Sequence, residues 1–147
     1  MSGPVSFSRN GVTKQSRESP QNAGGNATGI AAHRADFAAI GGWIRMGSTV
    51  LDLGCGDGSL LRYLRDTRRT AGYGVEIDDD GVLACVKNGV SVVQSDLERG
   101  LSGFEDSSFD YVVLSQTLQA MRNSETIMRE MLRVGREGIV TFPNFGY

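Results

Sequence analysis

The chain has 147 residues and a mass of 15.8 kDa, enough for one domain and a tail but not for two full domains. Hydrophobic residues make up 39% and charged residues 22%, so a core can form, and no apolar run approaches the roughly 20 residues of a membrane-spanning helix. A net charge of −2 argues against nonspecific nucleic-acid binding, and two cysteines with a single histidine exclude a disulfide framework, a zinc site or a histidine-based metal cluster. The expectation is a soluble, reduced, cytoplasmic protein with neither nucleic acid nor membrane as partner.

Residues 1–32 are rich in Gly, Ser, Asn, Gln and Thr and lack the apolar core of a secretory signal. Arg9, Lys14, Arg17 and Glu18 give them a net charge of +2, and residues 33–147 carry −4. With few apolar side chains and no periodicity, this segment reads as a disordered polar tail. From His33 onward the texture changes. Phe37, Ile40 and Ile44 fall at helical spacing, which predicts an amphipathic helix over roughly 34–45.

Thr49 to Leu53 is a short apolar run that reads as a buried parallel strand. Leu60, Leu61 and Leu64 then share one face of a helix. Tyr73 to Ile77 is a second strand. Asp79 to Asn88 is a second crossover helix, expected to bury Val82, Leu83 and Val86, with Gly89 as its left-handed cap. Ser91 to Gln94 is a third strand, and Phe109 to Ser115 a fourth. Asn123 opens a helix to about Val134, in which Met128 and Met131 fill the core. Gly138 to Phe142 is a fifth strand. Alternating strands and helices predict an α/β fold, a doubly wound, Rossmann-like parallel sheet with helices on both faces.

The informative stretch is Val50-Leu-Asp-Leu-Gly54-Cys-Gly56-Asp-Gly58. A strand runs into a glycine loop and a helix follows at once, so a ligand can approach the backbone and meet free N–H groups. Glu76 stands eighteen residues after Gly58, at the C-terminal end of the second strand, where a carboxylate can accept both hydroxyls of a ribose. Asp96 follows the third strand and can receive an adenine amino group while Leu97 packs on the ring. These residues lie at carboxyl ends of strands, where open parallel sheets bind ligands. The spacing is Gly-x-Gly-x-Gly, not the dinucleotide fingerprint Gly-x-Gly-x-x-Gly, because Ser59 follows Gly58. Asp52, just before the loop, would repel a pyrophosphate and suits a cationic amino group such as that of S-adenosylmethionine. The alternative for Asp52 is a carboxylate that merely caps loop N–H groups. Cys55 reads as a small filler and Cys85 as core.

These segments carry a resemblance. LDLGCGDGSLL, GYGVEID, QSDLERGLSGFEDSSFDYVVLSQTLQAMRN and MLRVGREGIVTFPNFG are similar to the MetW family of methionine biosynthesis proteins, within the class I S-adenosylmethionine-dependent methyltransferases. The likeness runs from about Arg34 to Gly146. It implies that Asp52, Gly54, Cys55, Gly56 and Gly58 surround the methionine end of S-adenosyl-L-methionine or S-adenosyl-L-homocysteine. It implies Glu76 and Ile77 at the ribose, Asp96 and Leu97 at the adenine, and Ser115 and Gln116 near the sulfonium. No catalytic residue and no metal ligand follows from it. It further implies a partnership with a homoserine O-acyltransferase (MetX-like), which the protein would activate. The alternative is a methyltransferase acting on a small molecule. The family continues past the fifth strand with a helix and two more strands, so residues 33–147 read as a domain truncated at its C-terminus. Its uncovered fifth-strand edge would favour self-association.

Overall fold

The computed structural model describes residues 4–15, 29–115 and 121–141. In chain order the elements are β1 (Val5–Ser8), β2 (Gly11–Gln15), α1 (Gly29–Trp43), β3 (Thr49–Leu53), α2 (Ser59–Arg68), β4 (Ala71–Glu76) and α3 (Asp79–Lys87). There follow β5 (Val92–Gln94), a single 3-10 turn (Leu97–Arg99), β6 (Phe109–Ser115), α4 (Ser124–Val134) and β7 (Gly135–Thr141). The strands form one sheet in the order β2-β1-β7-β6-β3-β4-β5. From β3 to β7 every pairing is parallel. The chain winds outward from β3 through β4 to β5, then returns to β6 on the other side of β3. The carboxyl ends of β3 and β6 therefore flank the point where the winding reverses.

β3 shows why its sequence is nearly all apolar. Val50, Leu51 and Leu53 are fully buried, and alternate residues feed opposite faces of the sheet. Leu51 and Leu53 join Val75, Leu114, Ile127, Met131 and Val134 in a core beneath α4. Val50 joins Ile40, Ile44, Leu60, Leu61, Leu64, Tyr111 and Ile139 in a second core on the other face, with α1 and α2. Met131 is core and Met128 packs against it, as their spacing predicts. No helix among the described residues is long and apolar enough to cross a membrane.

Three expectations change. The first concerns the polar tail. Residues 5–8 and 11–15 form a hairpin, and α1 begins at Gly29. β1 runs antiparallel to β7, pairing Val5 with Val140 and Ser8 with Glu137, so the sheet is mixed. Phe7 is 7% exposed, and its ring lies where a side chain on Gly138 would stand. Arg9 donates to the carbonyls of Leu132 (3.0 Å) and Arg133 (3.2 Å) at the end of α4, and to Ser107 Oγ (3.0 Å). Such a short segment has no periodicity to read; its stability comes from pairing with a strand whose residues lie 129–135 positions away in sequence, a contact invisible to local pattern.

The second follows from the first. The outer edge of β7 is not open, because β1 pairs with it. The two strands beyond β7 come from the N-terminal side of the chain. The third concerns α3. Leu83 and Val86 are 58% and 64% exposed, and the helix buries Cys85 instead. Its contact with the sheet is centred on the small residues behind the glycine loop, not on its branched side chains. Gly89 does adopt the left-handed conformation at its end, with φ 69°.

Candidate ligand site

Gly54, Gly56 and Gly58 all take positive φ, at 69°, 57° and 81°. Three left-handed residues in five turn the chain from β3 into α2, a path that side chains other than glycine's would strain. The turn is anchored to β4: the N–H groups of Gly54 (2.8 Å) and Cys55 (3.0 Å) both donate to the carbonyl of Val75. Asp57 accepts from the Ser59 N–H at 2.9 Å and from its hydroxyl, holding the first turn of α2. Asn88 Nδ2 donates to the Asp57 carbonyl at 2.9 Å and ties the loop to the end of α3.

Beneath this loop Asp52 is 1% exposed. Burial, reinforced by the negative charge of Glu76, pushes its carboxyl up to about 8. Its Oδ1 has no hydrogen-bond partner. The only other buried, unpartnered side-chain oxygen or nitrogen among the described residues is Ser115 Oγ, at the end of β6. Register places both on one face of the sheet, since Asp52 pairs with Val113 and Ser115 lies two positions further on. Unsatisfied buried polar groups cost stability, and these two at adjacent strand ends leave hydrogen-bonding capacity that the chain's described residues do not use. Asp52 does not cap the loop N–H groups, whose partners lie elsewhere.

Glu76 sits on the same face, because Asp52 pairs with Gly74 and Glu76 follows two residues later. Its Oε1 accepts from the Gly56 N–H (3.1 Å) and its Oε2 from the Ile77 N–H (2.9 Å). Glu76 thus fastens β4 to the glycine loop. Ile77 beside it is exposed, an apolar surface at the rim. Asp96 Oδ1 accepts from the Glu98 N–H at 3.0 Å and caps the 3-10 turn, while Leu97 is partly buried against the α4-side core. Gln116 lies outside the described residues. The predicted residues that are described therefore gather along the carboxyl ends of β3, β4, β5 and β6.

One residue escaped the sequence reading. Gln94, at the end of β5, donates to Asp79 Oδ1 (2.6 Å) and to the Ile77 carbonyl (3.1 Å), setting the path of the β4–α3 turn. Its signal was its place at a strand end on the Glu76 row, which needs the register to be seen. The cysteines also meet. Cys55 and Cys85 are both buried, and their sulfurs are 3.6 Å apart. Burial raises both thiols above their ordinary range, and the Asp52 charge adds to the effect at Cys55.

The profile of the family described as "Methionine biosynthesis protein MetW" matches residues 34–147. The chain belongs to the MetW family. The bifunctional methionine biosynthesis protein MetXA/MetW of Rhodopirellula baltica is 48% identical over 71% of this chain and 18% of its own length. A fatty-acid O-methyltransferase of Mycolicibacterium smegmatis is 32% identical, over 63% of this chain and 35% of its own. The chain thus spans about a third or less of these relatives. Among solved structures, the [4+2]-cyclase SpnF superposes with a TM-score of 0.67 at 24% identity, covering 79% of this chain and 46% of that one. A SAM-dependent methyltransferase from Archaeoglobus fulgidus does so at 0.63 and 21%, covering 72% and 48%. These likenesses establish the Rossmann-like class I methyltransferase fold of the MetW chain. They do not establish its reaction, since one neighbour is a cyclase.

Proposed function

We propose that this chain binds S-adenosyl-L-methionine, or S-adenosyl-L-homocysteine, and acts as an activating partner of a homoserine O-acyltransferase. The observation that carries the ligand reading is the buried, unpartnered Oδ1 of Asp52 under the glycine turn. An ammonium group is the partner that a buried carboxylate with a free oxygen accepts most favourably, through a charge-assisted hydrogen bond. A pyrophosphate would meet Asp52, Asp57 and Glu76 and be repelled. The partner reading is supported by the relative whose printed name joins MetXA and MetW in one bifunctional protein.

The residues fit the cofactor in distinct roles. Asp52 takes the ammonium, and Gly54, Cys55, Gly56 and Gly58 let the methionine end approach the backbone. Glu76 accepts from the ribose hydroxyls, with Ile77 packed beside the sugar. Asp96 and Leu97 receive the adenine, and Ser115 and Gln116 line the sulfonium region. When bound, the group supplies an electrophilic methyl and a positive charge. Asp52 must lose its proton to pair with the ammonium, so binding releases a proton near neutral pH. Docking and ligand binding are then linked: a ligand that orders the loop for docking is itself held more tightly by the docked state.

The test is homoserine acylation by the cognate acyltransferase with and without this chain, in the presence and absence of the cofactor. A rate increase that Asp52→Asn makes cofactor-independent supports both parts. No increase from a chain shown to be folded refutes the partnership. The 32% identity to an O-methyltransferase favours a second reading, methyl transfer to a small molecule. Such transfer needs alignment more than acid–base chemistry, and orientation alone contributes ~7–11 kcal/mol. Label moving from the cofactor's methyl into a cell extract, and lost in Asp52→Ala, would promote it.

A further inference from the structure

Thirty residues separate Cys55 from Cys85 in sequence, yet their thiols touch directly behind the glycine turn, with sulfurs 3.6 Å apart. Cys85 donates to the Gly56 carbonyl at 3.1 Å, and the Gly56 N–H is held on its other side by Glu76. The two peptide groups flanking Gly56 are thus gripped, one by a thiol and the other by the strand-end carboxylate. Beneath it, a side chain at Gly74 would collide with Cys55 Sγ, so the Cys55 thiol has no room to withdraw into the sheet. We propose that Cys55 and Cys85 are an oxidative modification site, forming a reversible disulfide that disables the ligand loop. The effect on ligand rests on the proposed reading of that loop; the bond itself does not.

The geometry needs little movement. The sulfurs must close from 3.6 Å to about 2.05 Å. Cys55 lies between Gly54 and Gly56, both left-handed, so neither flanking residue carries a Cβ that would restrict a backbone adjustment. Closure draws Cys55 toward α3 and removes the S–H that Cys85 gives to Gly56. The turn above Asp52 is then re-aimed and the Gly56 grip is halved.

The oxidant is a low-molecular-weight disulfide. One protein thiol loses its proton and attacks the oxidant's S–S bond, releasing one small thiol and leaving a mixed disulfide. The second protein thiol loses its proton and displaces the other small thiol. Two protons and two electrons leave the protein, and the oxidant is reduced to two thiols. Burial holds both thiols in the protonated form, so the reaction waits for the loop to open. A ligand that binds the dithiol form better disfavours the disulfide at equilibrium, and by the same linkage the disulfide weakens the ligand. The dithiol remains the resting state in a reducing compartment.

The experiment uses the full chain treated with oxidised glutathione, then freed of reagent. The expected result is a mass loss of about 2 Da, one hydrogen from each thiol. A Cys55–Cys85 linked peptide should be recovered from it, and dithiothreitol should reverse the change. Amide exchange across residues 54–58 should rise at least fivefold in the oxidised form, and affinity for S-adenosyl-L-homocysteine should fall at least fivefold. Cys85→Ser, which has no second thiol to resolve a mixed disulfide, should show neither the 2 Da loss nor the linked peptide. Absence of the linked peptide from the folded protein overturns the proposal, as does a linked protein with unchanged exchange at residues 54–58. Failure of the reduced chain to bind the ligand refutes the cofactor reading alone, because linkage and exchange are read without ligand.

Discussion

At the scale of single residues, Asp52 sets the pH behaviour. Its carboxyl is held up to about 8 in the folded chain, against an ordinary value of 3.8. The folded state keeps a proton that the unfolded state has released, so stability is fully present below pH ~4 and is lost as pH rises toward 8. Asp52→Asn removes this penalty. Its melting temperature should match the wild type near pH 4 and exceed it at pH 8. Ligand affinity should run the other way. In the wild type it should tighten from pH 6 to 8 as the carboxylate forms, with proton release seen as a buffer-dependent heat; in Asp52→Asn it should be weaker and flat. Glu76→Ala should weaken the same ligand by ~1.5–3 kcal/mol, the worth of a charge-assisted contact, and an unchanged calorimetric affinity would show a different pose. The residue types at both positions were legible in the sequence. Their pairing state was not, because Oδ1 of Asp52 is left unpartnered by neighbours that only the fold supplies.

At the scale of elements, the parallel strands and their helices follow from local pattern, while the hairpin and the buried face of α3 do not. β3, β6 and α4 carry enough apolar residues at the right period to bury themselves in any reasonable packing. Among its described side chains the β1–β2 hairpin is anchored by Phe7, and that ring has a place only because residue 138 is glycine. Phe7→Ala should therefore free the hairpin selectively, at a local cost of ~3–5 kcal/mol, seen as faster amide exchange in residues 5–8 with α2 unaffected. Gly138→Ala should act from the opposite side, by overpacking, at ~1–3 kcal/mol. Arg133 is another tertiary device. It reaches the carbonyls of Leu101 and Phe104 and the carboxylates of Asp106 and Glu130, all within 2.8–2.9 Å. It thereby organises the long connection from β5 to β6, which contains no α-helix.

At the scale of the whole molecule, the fold puts every described site residue at one end of the sheet and the edge cover at one side. A bare β7 would present seven residues of unpaired backbone and invite a second chain. The intact chain has β1 there. Deleting residues 1–15 should expose that edge, and the shortened protein should sediment as larger species at tens of micromolar (about the range where exposed edges associate) while the intact chain sediments lighter. Equal sedimentation of the two would show that the hairpin does not guard the edge. The outermost strands of the described sheet are β2 and β5, and β5 has only three residues, a length that offers little to an incoming strand.

What the sequence by itself determined is whatever depends on near neighbours along the chain. The strand–glycine loop–helix unit, the strand-end carboxylates, the alternating α/β order and the family likeness all lie in contiguous runs, where residue type and spacing state the backbone's needs directly. Only the tertiary structure decided what depends on register and contact. It brought Cys55 to Cys85, set Gln94 beside the Glu76 turn, left Asp52 and Ser115 unpaired on one face, and laid Phe7 over Gly138. Each of these joins residues from separate elements, so the deciding quantity is the space left when sheet and helices have packed, and no local pattern encodes it.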